Sequence, residues 1–280
     1  MPALTGSSAP ALTDLAEHLA TELRAGRPSR AVFGSKDVAF AWTSGVPRTF
    51  ANFVSTAMAA SIKFGVVVNG AGGNPATKVA AKGTKPDVCS LTQTDITLSK
   101  YAGMCTYTLE DELSTAGLTQ AVAYSIVNKA LVAYEKDLAA AIVAGKGQEV
   151  TGASSWTAGV LEAVGKIAAV GGRASVLAMA PADFAAALDG TGANLYFDGA
   201  SPIPAFLGLQ VHISPGLTAG TAVVLDGSAV LAVEHEASPV VIADPFHMAD
   251  TNQIRIVADL VAGFVIAQPE SIVTVTKAST

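Results

Sequence analysis

From Leu118 to Val143 the chain runs without a glycine or proline, and its apolar side chains recur at helical spacing. Leu118, Val122 and Ile126 repeat every four residues, and Leu131, Tyr134, Leu138 and Ile142 continue the stripe after a small phase shift. Lys129, Glu135, Lys136 and Asp137 fall mostly off it, and Gly145 and Gly147 stop it. A helix of this length spans about 40 Å at ~1.5 Å per residue. In a chain of 280 residues such a rod is a structural spine, and the other segments are read around it.

Upstream, Asp14-Leu15-Ala16-Glu17 has the form of a capping box, and Leu12, Leu15, Leu19 and Leu23 share one face of a short helix that Gly26 and Pro28 end. Residues 29–48 show no clear period. Residues 1–48 therefore read as an extended arm with one small helix, or as a segment folded back on its own domain. Downstream, Trp156–Val170 predicts a second amphipathic helix capped by Ser154 or Ser155. Arg173–Gly190 predicts strand, turn and short helix, with Pro181 at the helix start. Short apolar runs at 206–214, 221–236 and 239–244 suggest a sheet, and 252–276 holds two long strand-like runs around Pro269. This mixture predicts an α+β fold with a middle segment inserted between the spine and the last strands.

The stretch "KFGVVVNGAGGNPATK", Lys63–Lys78, invites a nucleotide-binding reading. A dinucleotide turn needs G-x-G-x-x-G between a strand and a helix. Gly70 and Gly72 fit, but Pro75 holds the third place, and Gly83 and Pro86 leave only Ala76–Lys82 for a helix. No crossover helix of ten or so residues fits there. The same residues read better as two strands, Ser61–Asn69 and Ser90–Tyr101, joined by a long excursion rich in turn formers. Such an arm has a plain use: it lies on a neighbouring subunit.

Composition points the same way. Hydrophobic residues make up 50% of the chain and charged residues 14%, against about 25% charged in a usual soluble domain. Either a membrane or other chains must cover the excess. Ile256–Ala267 is too short to span and carries Asp259, Thr221–Val233 is broken by Asp226, and the N-terminus lacks a basic region and an apolar core. A soluble, cytoplasm-made chain that buries its surface in an assembly is the remaining expectation, with no membrane partner. The net charge of -6 and the lack of a Lys/Arg run argue against sequence-specific nucleic-acid binding.

The chain offers little chemistry. Cys89 and Cys105 lack metal spacing and are expected as reduced thiols. In Val233–Ala237, Glu234 and Glu236 would share one face of a strand and His235 the other, which builds no metal site without outside ligands. Asp244, His247 and Asp250 lack an accompanying nucleophile motif, and turn chemistry at Asp244-Pro245 and Asp250-Thr251-Asn252 accounts for them equally well. No catalytic, cofactor or metal-binding residue is expected.

Several signatures, in order, resemble the major capsid proteins of tailed bacteriophages, the Hong Kong-97-type fold. Lys85–Leu113 resembles the return strand of that family's extended loop, leading to Thr108-Leu109-Glu110-Asp111-Glu112-Leu113 before the spine, with Thr108 where serine is commoner. Lys129–Gly147 is similar to the end of the spine helix, and Ala174–Phe197 to the strand-helix unit of the axial domain. Phe206–Val230 is the most specific part: Leu-Gly, an apolar strand, Pro-Gly, an apolar pair, then Asp226. The resemblance covers about Ser61 to Thr276. It implies an N-terminal arm at 1–48 and an extended loop at 66–97. It also implies a peripheral domain at 49–65, 98–147 and 249–280, and an axial domain at 148–248.

It further implies self-assembly into hexamers and pentamers, closing an icosahedral shell around double-stranded DNA that is touched non-specifically. The virion is the expected location, with the host cytoplasm during assembly. Many relatives carry a removable scaffolding region; here the capsid-like part begins near Met1, so any scaffold is expected to be a separate protein, alongside possible portal and decoration proteins. The candidate inter-subunit residues are Gly70, Gly72, Gly73, Lys78, Lys82 and Lys85 in the loop and Leu15 and Leu19 in the arm. Lysine-asparagine cross-links, known among relatives, are not expected. Alternatives are an encapsulin-type nanocompartment shell and a nucleotide-binding enzyme using the Gly70–Gly73 loop.

Overall fold

The computed structural model describes residues 49–69, 91–114, 118–190, 195–197, 204–248 and 251–278. Fourteen strands and four α-helices occur among them. The chain divides into two compact units. The first contains the described residues within 99–134 and 235–262, and the second those within 49–98, 135–234 and 263–278.

The first unit is built on three antiparallel strands: β4 (Ser99–Thr108), β13 (Gln253–Ile266) and β12 (Val240–Met248). β13 pairs β4 in unbroken register from Gln253↔Thr108 to Ala262↔Ser99, and pairs β12 from Asp244↔Arg255 to Val240↔Asp259. The short helix α1 (Leu109–Ser114) follows β4, and α2 (Leu118–Ala144) begins here and ends in the second unit. Along β4, Tyr101, Gly103, Cys105 and Tyr107 alternate with the more exposed Ala102, Met104 and Thr106, the period of two that a half-buried strand requires. Ala123, Tyr124, Ile126 and Val127 of α2 pack with Ile256 and Ala258 of β13. Gly103 lets the helix sit close, since a Cβ there would lie 2.8 Å from Ile126 Cγ2.

The second unit holds a seven-stranded mixed sheet in the order β5-β14-β10-β6-β9-β8-β7. The strands are β5 (Gln148–Ala153), β14 (Ile272–Lys277), β10 (Thr221–Leu225), β6 (Val176–Met179), β9 (Leu209–Ile213), β8 (Pro204–Phe206) and β7 (Leu195–Phe197). Central strands β6, β10 and β14 are buried almost throughout, so they read as continuous apolar runs rather than alternating ones. Helix α3 (Trp156–Ala169) buries Trp156, Gly159, Val160, Ala163 and Ile167, in one cluster with Leu177, Val224, Val273 and Val275. Ser155 caps it, its hydroxyl accepting from Ala158 N–H at 3.2 Å. Helix α4 (Pro181–Gly190) opens on proline, which supplies the helical φ and lacks only an N–H that would have no partner. Strand β1 (Ser55–Ala59) neighbours β11 (Val230–His235), and β2 (Lys63–Asn69) and β3 (Leu91–Thr97) form a separate two-stranded ladder.

The spine appears as expected, one residue longer than its stripe. Two local expectations change. β11 ends at His235, so Glu236 leaves the strand and does not share a face with Glu234; the His235 ring instead closes a turn, Nδ1 accepting from Ala237 N–H at 3.1 Å. Asp244-Pro245 is not a turn but part of β12, where the register with β13 shifts between Asp244 and Met248. Proline lacks the N–H a regular ladder uses, so it sits where the ladder is irregular.

Candidate assembly surfaces and a buried polar junction

The hairpin is built by seven antiparallel pairs, from Lys63↔Thr97 to Asn69↔Leu91. It is about 24 Å long at ~3.4 Å per residue. Antiparallel pairing also removes the dinucleotide-binding reading, because that motif feeds a parallel crossover. The base is anchored: Ile96 and Leu98 are buried, Leu98 N–H donates to Ile62 C=O at 2.8 Å, and a Cβ at Gly263 would lie 2.9 Å from Leu98 Cδ2, so a side chain there would have to displace it. Gln93, Asp95 and Thr97, which alternate with Ile96 and Leu98, are exposed. An isolated two-stranded ladder is marginal in water.

Large apolar side chains stand in solvent on both units. In the first, Leu113 is 80% exposed and Met104 69%, and Ile242 is also exposed. Register places Met104, Val257 and Ile242 in one row across the three strands, with half-buried Val257 between the two exposed side chains. In the second, Met58, Ile62, Leu161 and Val170 are exposed. Helix α1 starts at a reciprocal cap: Thr108 Oγ1 accepts from Asp111 N–H, and Asp111 Oδ2 accepts from Thr108 N–H, both at 3.2 Å.

The most tightly organised polar group lies inside the second unit. Glu135, on α2, is 1% exposed. Its Oε2 accepts from Phe50 N–H at 2.7 Å, while its Oε1 lies 2.8 Å from His212 Nε2 and takes the Ser214 hydroxyl. Phe50 opens a single 3₁₀ turn, Phe50–Asn52, so its N–H has no partner within the turn. The Phe50 ring meets His212 edge-on and the Phe53 ring meets it at a tilt, with centroids 4.7 and 4.9 Å away. Ser214 Oγ accepts from Gly216 N–H at 3.2 Å. Gly216 presses on the helix: a Cβ there would lie 2.7 Å from Ala139 Cβ and 2.9 Å from Lys136 Cα.

Serine, histidine and glutamate together suggest a hydrolase relay, but the order is wrong. In a relay the imidazole stands between carboxylate and hydroxyl. Here one carboxylate oxygen takes both partners, and His212 and Ser214 are buried. The group binds chain segments together and offers no exposed nucleophile. Among the described residues no cluster suited to a metal ion occurs, and no helix is long and apolar enough to cross a membrane.

The most specific sequence signature corresponds to a turn, this junction and a cap. Leu207 and Gly208 adopt positive φ, 53° and 81°, turning β8 into β9. Pro215-Gly216 lays the chain against α2. Asp226 closes the unit after β10: Oδ2 accepts from Arg173 N–H at 2.8 Å and Oδ1 from Ser228 N–H at 2.9 Å. Partial burial is the largest single influence on this carboxyl and acts upward, but the hydrogen bonds from Arg173 and Ser228, with the Arg173 charge, together hold its pKa below the ordinary value. In the first unit burial pushes the Tyr107 hydroxyl up to about 12, with Glu112 adding to the shift and the hydrogen bond to Thr119 opposing it.

Gly70, Gly72, Gly73, Lys78, Lys82, Lys85, Leu15 and Leu19 lie outside the described residues. Glu135 is a correction. The stripe placed it mostly outside the apolar face, whereas it is buried: it stands one turn before Leu138 and Ala139 and two before Ile142, all fully buried, and Phe50, His212 and Ser214 cover its carboxyl group. Its partners stand 77 to 85 positions away, and no local pattern connects them.

A long helix that begins in one unit and ends in the other, a separate two-stranded ladder and a mixed sheet carrying the Pro-Gly signature are the parts of a Hong Kong-97-type shell-protein fold. The fold matches solved structures from Microbacterium phage Oxtober96 (TM-score 0.65, 12% identity, 88% of this chain and 97% of that one) and Mycobacterium phage Adephagia (0.64, 13%, 91% and 98%). It also matches the virus-like particle from Pyrococcus furiosus (0.61, 11%, 94% and 98%). No curated protein sequence matches the chain. The model of the phage capsid family matches residues 48–277, and the chain belongs to that family. It is a phage major capsid protein, a structural subunit of an icosahedral shell.

Proposed function

We propose that copies of this chain assemble as hexamers and pentamers in the host cytoplasm and close around packaged double-stranded DNA, and that the chain acts by geometry, with no catalytic step. In this reading 1–48 is an arm, 66–97 an extended loop, 148–248 the axial domain, and 49–65, 98–147 and 249–280 the peripheral domain. Arm and loop lie on neighbouring subunits, with Gly70, Gly72 and Gly73 letting the loop tip change path between non-equivalent positions. The observation that carries the reading is the β2–β3 ladder, which has no third strand among the described residues and is too thin to be stable alone.

The energetics favour a closed assembly over a dimer. Fully burying a Leu, Ile or Met side chain contributes about 1.5–3 kcal/mol. Two or three such residues at one contact barely offset an association cost of about 4–15 kcal/mol. In a ring each subunit makes the contact on both sides, so modest contacts suffice. Deleting residues 70–87 tests this: the subunit is expected to stay folded by circular dichroism and to form no closed shells in negative-stain microscopy. Normal particles from the deletion would remove the loop from the mechanism. The Pyrococcus furiosus particle, matching 94% of the chain, supports a second reading, a nanocompartment shell of the encapsulin kind. Nuclease-protected DNA in purified particles would exclude it, and protein cargo in place of DNA would favour it.

A further inference from the structure

We propose that Glu135 is a positioning residue for shell assembly: its carboxyl group fixes the direction in which the chain leaves the core toward the β2–β3 ladder. The inference rests on the shell-subunit reading above. Phe50, whose N–H the carboxyl holds at 2.7 Å, precedes β1 by five residues and β2 by thirteen. The 3₁₀ turn it opens is locked from three sides. Asn52 Oδ1 accepts from Thr49 N–H at 2.8 Å, the Phe50 and Phe53 rings flank His212, and Gly227 is close enough to Phe53 that an added Cβ would lie 2.7 Å from its carbonyl oxygen. Of these grips, only the carboxyl joins the turn to α2, to β9 and to the residue that follows β9 through one group. Packing can hold a turn in place while leaving some freedom of rotation. A hydrogen bond to its first N–H, along a fixed direction, removes that freedom.

The donors differ in what they tolerate. Phe50 N–H can only donate. The Ser214 hydroxyl can reverse, and His212 can present either ring nitrogen as acceptor by changing tautomer. Glu135→Gln therefore keeps the grip, its amide oxygen taking Phe50 N–H and its NH₂ group turning to His212 and Ser214. Glu135→Leu leaves all three groups without an acceptor. The triple variant Glu135→Leu/His212→Phe/Ser214→Ala removes the stranded side chains and keeps an apolar, ring-packed interior; whole buried polar networks are often replaced this way without loss of stability. It lacks an acceptor for Phe50 N–H, and also for Gly216 N–H, which the Ser214 hydroxyl otherwise takes; Ser214→Ala alone separates the second effect from the first.

The test uses the full chain and two measurements. Hydrogen exchange on unassembled subunits is expected to show Phe50–Phe53 protected in the natural protein and in Glu135→Gln, and at least tenfold faster in the triple variant, with β6, β10 and β14 unchanged. Shell yield by gradient sedimentation and microscopy is expected within twofold of normal for Glu135→Gln and at least tenfold lower for the triple variant. The proposal is overturned by normal shell yield or unchanged Phe50–Phe53 exchange in the triple variant, or by Glu135→Gln losing assembly as fully. Failure of the triple variant to fold also overturns it, since Glu135 would then be a folding residue. If the natural protein forms no shells, the functional reading fails on its own, while exchange at Phe50–Phe53 still reports on the grip.

Discussion

Helix α3 contains two glycines that share a backbone state and differ in surroundings, so substituting each with alanine isolates packing from propensity. In a helix interior Gly→Ala contributes about 1 kcal/mol of stability on propensity alone. At Gly165 a new Cβ meets nothing within 4 Å, so the propensity gain should survive. At Gly159 the Cβ would lie 2.5 Å from Val275 Cγ1 and 2.9 Å from Ala153 Cβ. Neither neighbour yields easily: Val275 is a stiff β-branched residue on β14, paired to β10 and β5, and Ala153 has no side chain to rotate. Overpacking of this kind costs about 1–3 kcal/mol. Gly165→Ala is therefore expected to be about 0.5–1 kcal/mol more stable than the natural protein, and Gly159→Ala neutral to about 2 kcal/mol less stable. Urea unfolding of unassembled subunits, followed by circular dichroism, measures both. If the two variants shift the midpoint equally in one direction, the close contact between α3 and β14 is not what makes glycine necessary at 159.

Two further outcomes follow from the hydrogen bonds. The depressed pKa of Asp226 means that its contribution is present above the unfolded-state carboxylate range and disappears as pH falls through the lower folded value. Urea midpoints between about pH 5 and pH 2 should then fall more steeply for the natural protein than for Asp226→Asn, and parallel profiles would refute the assignment. Thr108→Ala removes one half of the reciprocal cap on α1 and is expected to cost about 1 kcal/mol locally, seen as faster hydrogen exchange over Leu109–Leu113; unchanged exchange there would mean the cap is not what holds the helix.

Much of this architecture is local, and local features are legible in a sequence. The run from Leu118 to Val143 could only be a long helix, because periodicity and the absence of breakers act within a few residues of one another. The serine pair at 154 and 155, Pro181 and the β-branched runs of β10 and β14 announce a cap, a helix start and buried strands for the same reason. Low charge and long apolar content likewise required that something cover the surface, and chain order identified the family before any geometry was known. What the sequence could not decide depends on residues far apart. The stripe left Glu135 at its margin, and only the approach of Phe50, His212 and Ser214, 77 to 85 positions away, made a buried carboxyl group tolerable there. The need for glycine at 216 and 159 was equally hidden, since it arises from α2 and β14 pressing on those positions after the chain has packed. Burial and close approach are properties of three-dimensional neighbours, and tertiary structure alone supplies them.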